Sequence, residues 1–281
     1  MSAGHPSIDA RVREVVRLVA GNSEAARHLD SLEVAELVLA LEEEFGVRLP
    51  EDRPPDTVEA AVRAVDRAPG PPDGPSALHP GIGHLQWLSE ILLKRILWGY
   101  FPVHIAGAAR VPSTGPVVLA SNHDSLLDIP FLGLATPRRV WFMAKEELFR
   151  GRFGAWFFHV LGGFPVDRIG PDVRAVRAAL EVLHAGGALG MFPEGTRSRD
   201  FLPFLPGAAW VALAVGAPLV PVAIRGTADA MPRGSVIPRR TRVRVSFGEP
   251  IDPGKEDDPR SRLTRAREVT RDLRAAVADL G

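Results

Sequence analysis

The chain has 281 residues, enough for one or two domains and a sizeable buried core. It contains no cysteine, which excludes disulfides, thiolate catalysis and cysteine-ligated metal and fits a reducing cytoplasm. The formal net charge of zero conceals an asymmetry: residues 1–68 carry 8 arginines against 14 acidic groups, and the remainder 26 basic against 20 acidic. An acidic module is thus joined to a basic one that is free to meet anionic lipid or phosphate.

The first module reads as helical. Ile8, Val12, Val15, Val16 and Val19 recur at helical spacing until Gly21-Asn22 stops them. A second helix runs from Asp30-Ser31 to Phe45, with Val34, Leu37, Val38, Leu41 and Phe45 on its buried side. Glu33, Glu36, Glu42, Glu43 and Glu44 are expected to stay in water, and Gly46 ends the helix. Thr57 to Ala68 reads as a third amphipathic helix. A bundle this small is marginal alone. Read from the residues, Asp30-Ser31 is either a helix cap or a site.

Leu29-Asp30-Ser31-Leu32, followed by the acidic stretch Glu36 to Val47, resembles acyl carrier proteins. The resemblance implies that Ser31 carries 4′-phosphopantetheine, added by a phosphopantetheinyl transferase, and that the acidic helix docks on a basic enzyme. A phosphodiester is electrostatically welcome at a helix N-terminus. Residues 69–80, Pro69-Gly70-Pro71-Pro72 onward, are a proline-rich linker. Such a linker spans up to ~35–40 Å and is expected to swing the carrier over its neighbour's active site at raised effective concentration.

Leu85 to Phe101 follows, apolar except for a stripe of Gln86, Glu90 and Lys94 with basic Arg95, and bearing two tryptophans and a tyrosine. It is too short and too charged to span a bilayer. Its wide apolar face suits a helix lying in a membrane surface. Trp156-Phe157-Phe158, near Arg150 and Arg152, extends that surface or joins the core.

Strands are expected near 117–121, 139–144, 188–192, 219–225 and 241–247, and helices near 125–135, 171–185, 207–215 and 259–279. Val117 to Ala120 runs into Asn122-His123-Asp124-Ser125-Leu126-Leu127-Asp128. The histidine then lies at the carboxyl end of a strand, where α/β sheets place their clefts. A carboxylate five positions on can orient the imidazole and raise its basicity. The second block is Gly162-Gly163-Phe164-Pro165-Val166-Asp167-Arg168, a glycine turn and short apolar stretch. The third, Phe192-Pro193-Glu194-Gly195-Thr196-Arg197, joins a glycine to an arginine fork suited to phosphate. Val220-Pro221-Val222 closes the series.

These four ordered blocks resemble the glycerolipid acyltransferases of the lysophosphatidate acyltransferase family over roughly residues 100 to 250. Many members have a lysine where Leu205-Pro206-Gly207 stands here. The resemblance implies an α/β acyltransferase domain over residues 81–281, a mixed sheet covered by helices, preceded by the all-α carrier-like bundle of residues 1–68. It implies O-acyl transfer from acyl-CoA or an acyl carrier, its own included, to a lysophospholipid such as 1-acylglycerol 3-phosphate. His123 and Asp128 are then catalytic, and Arg168, Glu194, Gly195, Thr196 and Arg197 bind substrate; no metal and no nucleic acid is expected. The expected location is cytoplasmic, on the inner face of the membrane. Two alternatives stand beside this reading: a non-catalytic lipid-binding scaffold with a degenerate carrier module, and an acyltransferase for an amino-acid-derived lysolipid.

Overall fold

Helical periodicity fixes the first three elements of the computed structural model, which describes residues 7–20, 29–50, 54–68, 84–149, 152–166, 173–235 and 237–281. Helix α1 (Ile8–Ala20) buries Val12, Val15, Val16 and Val19. Helix α2 (Ser31–Phe45) opens on a capping box. The Asp30 carboxylate accepts the N–H groups of Leu32 and Glu33, both at 2.9 Å, while Glu33 takes the Asp30 N–H at 3.0 Å. Gly46, at φ 61°, closes the helix in the left-handed conformation that glycine adopts without strain. Helix α3 (Val58–Arg67) is capped by Thr57 and buries Val58, Ala61 and Val65.

The rest of the chain adds α4 (His84–Tyr100), α5 (Asp128–Ala135), α6 (Arg152–Val160), α7 (Val173–His184), α8 (Gly207–Val215), α9 (Thr227–Ala230) and α10 (Pro259–Asp279). Its strands are β1 (Val103–Ala106), β2 (Val117–Ser121), β3 (Val140–Lys145), β4 (Gly163–Val166), β5 (Ala188–Met191), β6 (Leu219–Arg225) and β7 (Val243–Phe247). They form one sheet in the order β1-β7-β6-β2-β5-β3-β4, parallel except for the antiparallel pair β6 and β7. Strand β2 is central, flanked by β5 and β6. Its side chains alternate, so Val118 and Ala120 enter one core and Val117 and Leu119 the other. The first core lies under α7, α8 and α10, and the second under α4 and α5.

Strands β1 and β4 are the two edges, and neither was among the strands expected from the sequence. Each has four residues, and β4 begins with a glycine and contains a proline. Such segments become strands only because a partner offers its ladder. The glycine turn before β4 is required sterically. Gly162 lies at φ 76°, and a Cβ there would sit 2.3 Å from the Val140 carbonyl oxygen. Its own carbonyl accepts the Phe142 N–H at 2.9 Å.

The bundle does not stand apart on its tether, as the linker composition leads one to expect. Residues 69–80 lie outside the described residues, but α2 itself is seated on α7, α8 and α10. Leu37, Val38 and Leu41 share one buried cluster with Val182, Leu183, Trp210 and Leu213. The apolar contact dominates, at roughly 1.5–3 kcal/mol for each large side chain removed from water. Charge complementarity supplies direction. Glu42 pairs with Arg177, and Arg267 meets Glu33 at 2.9 Å and Asp30 at 3.5 Å.

Glu36, expected in water, is buried in this contact. It accepts the indole N–H of Trp210 and pairs with Arg262 at 3.0 Å. Burial pushes its carboxyl up to about 7, against the opposing pull of Arg262 and the Trp210 hydrogen bond. The folded protein thus holds this proton more tightly than the unfolded chain, whose value is near 4.5. The corresponding stability is full below that unfolded value and lost as pH rises through about 7. Glu36→Gln mimics the protonated form. Chemical denaturation near pH 4 and at alkaline pH should show the wild type losing roughly 3 kcal/mol more than the variant.

Candidate active site

The site assembles at the carboxyl end of β2, where α5 begins after a short turn. Asp128 is the first residue of α5 and is fully buried. Its Oδ2 accepts the N–H groups of Asp124 at 2.7 Å and Ser125 at 2.8 Å and meets His123 Nδ1 at 2.9 Å. One carboxylate oxygen therefore shapes the turn and orients the ring. With Nδ1 committed to Asp128, the imidazole presents Nε2 as its free proton acceptor. The His123 side chain retains 15% exposure, at the wall of a cavity of about 330 Å³. Phe192 stacks on it with ring centroids 4.1 Å apart and planes 20° apart, fixing the ring's second degree of freedom.

The third block closes on the first. Glu194 is buried, accepting the His123 N–H on Oε1 at 3.0 Å and the Leu202 N–H on Oε2 at 3.2 Å. The Ser198 N–H returns to the His123 carbonyl at 2.8 Å. Burial holds the Glu194 carboxyl above the ordinary carboxylate range, opposed by those two backbone donors. The same holds for half-buried Asp124, opposed there by its hydrogen bond from Asn122. Between Glu194 and Leu202 the chain turns at Gly195, φ 69°, so that Gly195, Thr196 and Arg197 line the cavity.

The structure thus brings His123, Asp128, Gly195, Thr196 and Arg197 together and seats Glu194 behind them, its two oxygens occupied by backbone donors. Among the described residues Arg197 forms no hydrogen bond or ion pair, with Glu194 or with any other group. Arg168 lies outside the described residues; the second block is seen only as β4. Arg199 is taken up by Asp229 at 3.0 Å on the surface. Arg138 braces the carbonyls of Pro112, Gly115 and Gly186 at the opposite end of the strands.

Two contributors escaped the sequence reading. Asn122 is fully buried and clamps β2 to β6, donating to the Ile224 carbonyl at 2.9 Å and accepting the Ile224 N–H at 2.8 Å. A second polar residue directly after Ser121, where the apolar run of β2 ends, was the available signal. Arg233 lines the cavity from the loop after α9. Like Arg197 it has no hydrogen-bond or ion-pair partner among the described residues. Nothing in the Met231-Pro232-Arg233-Gly234 stretch announces it. Two uncommitted guanidinium groups beside an imidazole suit a substrate carrying both a phosphate and a reactive hydroxyl.

Helix α4 is oriented otherwise than its polar stripe suggests. Glu90 pairs with Arg139 at 2.5 Å, against the domain rather than in water. Leu88, Leu92 and Ile96, 53%, 60% and 57% exposed, form the outward ridge, with Tyr100 and, from α6, Trp156 also exposed. No helix among the described residues is long and apolar enough to cross a membrane.

Comparison with known proteins matches the stretch of chain that contains His123, Asp128 and the third block. The Acyltransferase family model matches residues 102–225. A 1-acyl-sn-glycerol-3-phosphate acyltransferase of Bacillus subtilis is 31% identical over 160 residues, covering 57% of this chain and 78% of that protein. A chloroplastic 1-acyl-sn-glycerol-3-phosphate acyltransferase of Arabidopsis thaliana is 32% identical over 193 residues, 65% of this chain and 54% of that protein. The crystal structure of the lysophosphatidate acyltransferase PlsC from Thermotoga maritima superposes with a TM-score of 0.54 at 31% identity. It covers 68% of this chain and 79% of that one. The chain belongs to the 1-acyl-sn-glycerol-3-phosphate acyltransferase family and is an acyltransferase.

Proposed function

We propose that the chain transfers a fatty acyl group from a thioester donor to the free hydroxyl of 1-acylglycerol 3-phosphate in phospholipid synthesis. The observation that carries this reading is the shared cavity of His123, Arg197 and Arg233, which sets a base beside two uncommitted cations. His123 Nε2 takes the hydroxyl proton as the oxygen attacks the thioester carbonyl, and Asp128 stabilises the imidazolium. Collapse of the tetrahedral intermediate expels the thiolate, which takes the proton from the imidazolium. Arg197 and Arg233, with Arg168 in the role implied by the family resemblance, grip the phosphate. Arg197→Ala should raise the acceptor KM about tenfold or more while leaving the donor KM nearly unchanged, as steady-state kinetics with each substrate varied would read. A fall in thermal stability with unchanged kinetics would make Arg197 structural.

The acceptor lives in a bilayer, and the ridge of Leu88, Leu92 and Ile96 with Tyr100 and Trp156 supports docking on the membrane's inner surface. Co-flotation with anionic vesicles, lost in a Leu92→Asp/Ile96→Asp variant, tests this; retention would exclude it.

A second role falls to the bundle, as a carrier for its own enzyme. Ser31 is exposed at the first turn of α2, where Asp30 fixes the helix start. We read it as the attachment site of 4′-phosphopantetheine, loaded by a phosphopantetheinyl transferase. Because α2 is docked, the arm rather than the module would do the travelling. Intact-mass spectrometry after co-expression with broad-specificity transferases should show the added mass on wild type and not on Ser31→Ala. No shift on the wild type would leave the bundle without a carrier role.

A further inference from the structure

A second cavity, of about 460 Å³, opens where the bundle meets the catalytic region. The bundle contributes Asp30, Ser31 and Leu32 from the start of α2. The facing wall is apolar, formed by Ala175, Val176 and Ala179 of α7 and by Trp210 and Val211 of α8. Trp210 directs its only polar atom to Glu36, so the cavity receives only carbon from that ring. The polar side chains of the lining are Asp30 and Ser31 at the start of α2, and the Asp30 carboxylate is already occupied by the cap of that helix.

This cavity adjoins the catalytic one. Met143 lines both. Met191 lines the new cavity, and its neighbour Phe192 stacks on His123. Leu205 lines the new cavity too, and its methyl group lies 3.0 Å from where a Cβ on Gly195 would be. Met143, Met191 and Leu205 therefore stand where the two cavities approach each other. Unbranched thioether side chains repack easily to admit a neighbour. An apolar space of this volume is ligand-sized, and an alkyl chain needs no polar partner inside it.

We propose that the N-terminal bundle forms one wall of the site that holds a substrate's alkyl chain, so that α2 takes part in chain-length selection. The chain passes from the catalytic cavity between Met143 and Met191, lies along α7 and Trp210, and ends against Leu32. The inference rests on the acyltransferase reading and holds whether or not Ser31 is modified. It gives the bundle, which lies outside residues 102–225 of the family match, a function in the transfer itself.

Filling the far end tests it. Leu32 is half-buried at the rim, so Leu32→Trp shortens the cavity without entering the deep core; Val176→Phe does the same from the opposite wall. Transfer is measured with octanoyl- and palmitoyl-CoA against one fixed acceptor, and then with short- and long-chain lysophosphatidate against one fixed donor. In variants with native melting behaviour, the long-to-short rate ratio should fall about tenfold or more in one of the two series. The series that responds identifies the chain, donor or acceptor. Ratios unchanged in both series for a folded variant, or rates lowered equally for long and short chains, would overturn the proposal. Loss of all thioester transfer by the wild type would instead overturn the acyltransferase reading beneath it.

Discussion

Replacing His123 by alanine should lower the transfer rate by about 10²–10⁴-fold while leaving a folded protein. The ring is the group in the cavity positioned to accept a hydroxyl proton, with Nδ1 held by Asp128 and its face held by Phe192. The fold should survive because the backbone of residue 123 keeps its bonds to Glu194 and Ser198, which need no imidazole. The variant loses the ring stacking, roughly 0.5–1.5 kcal/mol, and the hydrogen bond to Asp128, whose Oδ2 keeps its two backbone donors. The acceptor KM should change little, since the phosphate grip lies with arginines. Rates from initial-velocity assays, set beside a melting curve, check both halves. Near-normal turnover in a folded variant would remove His123 from the mechanism.

Asp128 should separate two losses that His123 cannot. Asp128→Asn keeps an oxygen for the Asp124 and Ser125 N–H groups but removes the charge that steadies an imidazolium. Its rate should fall nearly as far as that of His123→Ala, with a modest change in stability. Asp128→Ala strips the acceptor from both backbone donors and from the ring at once. Each buried donor left unpaired costs about 1–3 kcal/mol, so this variant should lose several kcal/mol of stability as well as its activity. Denaturant titration of the pair reads the difference. Equal stability in the two variants would mean that Oδ2 does not hold the turn.

The strands at 117–121 and 219–225 and the helices at 207–215 and 259–279 were legible to the residue, because apolar runs mark both strands and α8, Gly216 ends α8, and Asp258 caps α10. The His123–Asp128 pairing was legible for a local reason: four intervening residues form one turn, so sequence spacing nearly fixes geometry. Glu194 was visible as part of a motif, but its bonds to His123 and Leu202 depend on how two loops meet. Arg233 reaches the cavity through the tertiary fold alone. The edge strands β1 and β4 were hidden for the same reason, as their ladders belong to β7 and β3. Glu36 shows the limit most clearly. A glutamate in an acidic helix reads as solvated, and only the approach of Trp210 and Arg262 takes it out of water.

The bundle changes what the charge asymmetry means. An acidic module facing a basic one reads as a transient encounter that salt would screen. The shared cluster of Leu37, Leu41, Val182 and Trp210 makes it a built interface in which the arginines set orientation. Salt should therefore weaken the pairs of Arg267 without releasing α2, because exposed pairs contribute at most about 1 kcal/mol.

Acyl transfer to a lysophosphatidate hydroxyl at His123 is read most directly by mass spectrometry of the lipid products formed by the purified full chain from acyl-CoA and 1-acylglycerol 3-phosphate in vesicles. The expected product is phosphatidate carrying the donor's acyl chain, formed with stoichiometric release of free CoA and absent with His123→Ala. Thioester hydrolysis without phosphatidate, or phosphatidate formed equally by the His123→Ala protein, would contradict it.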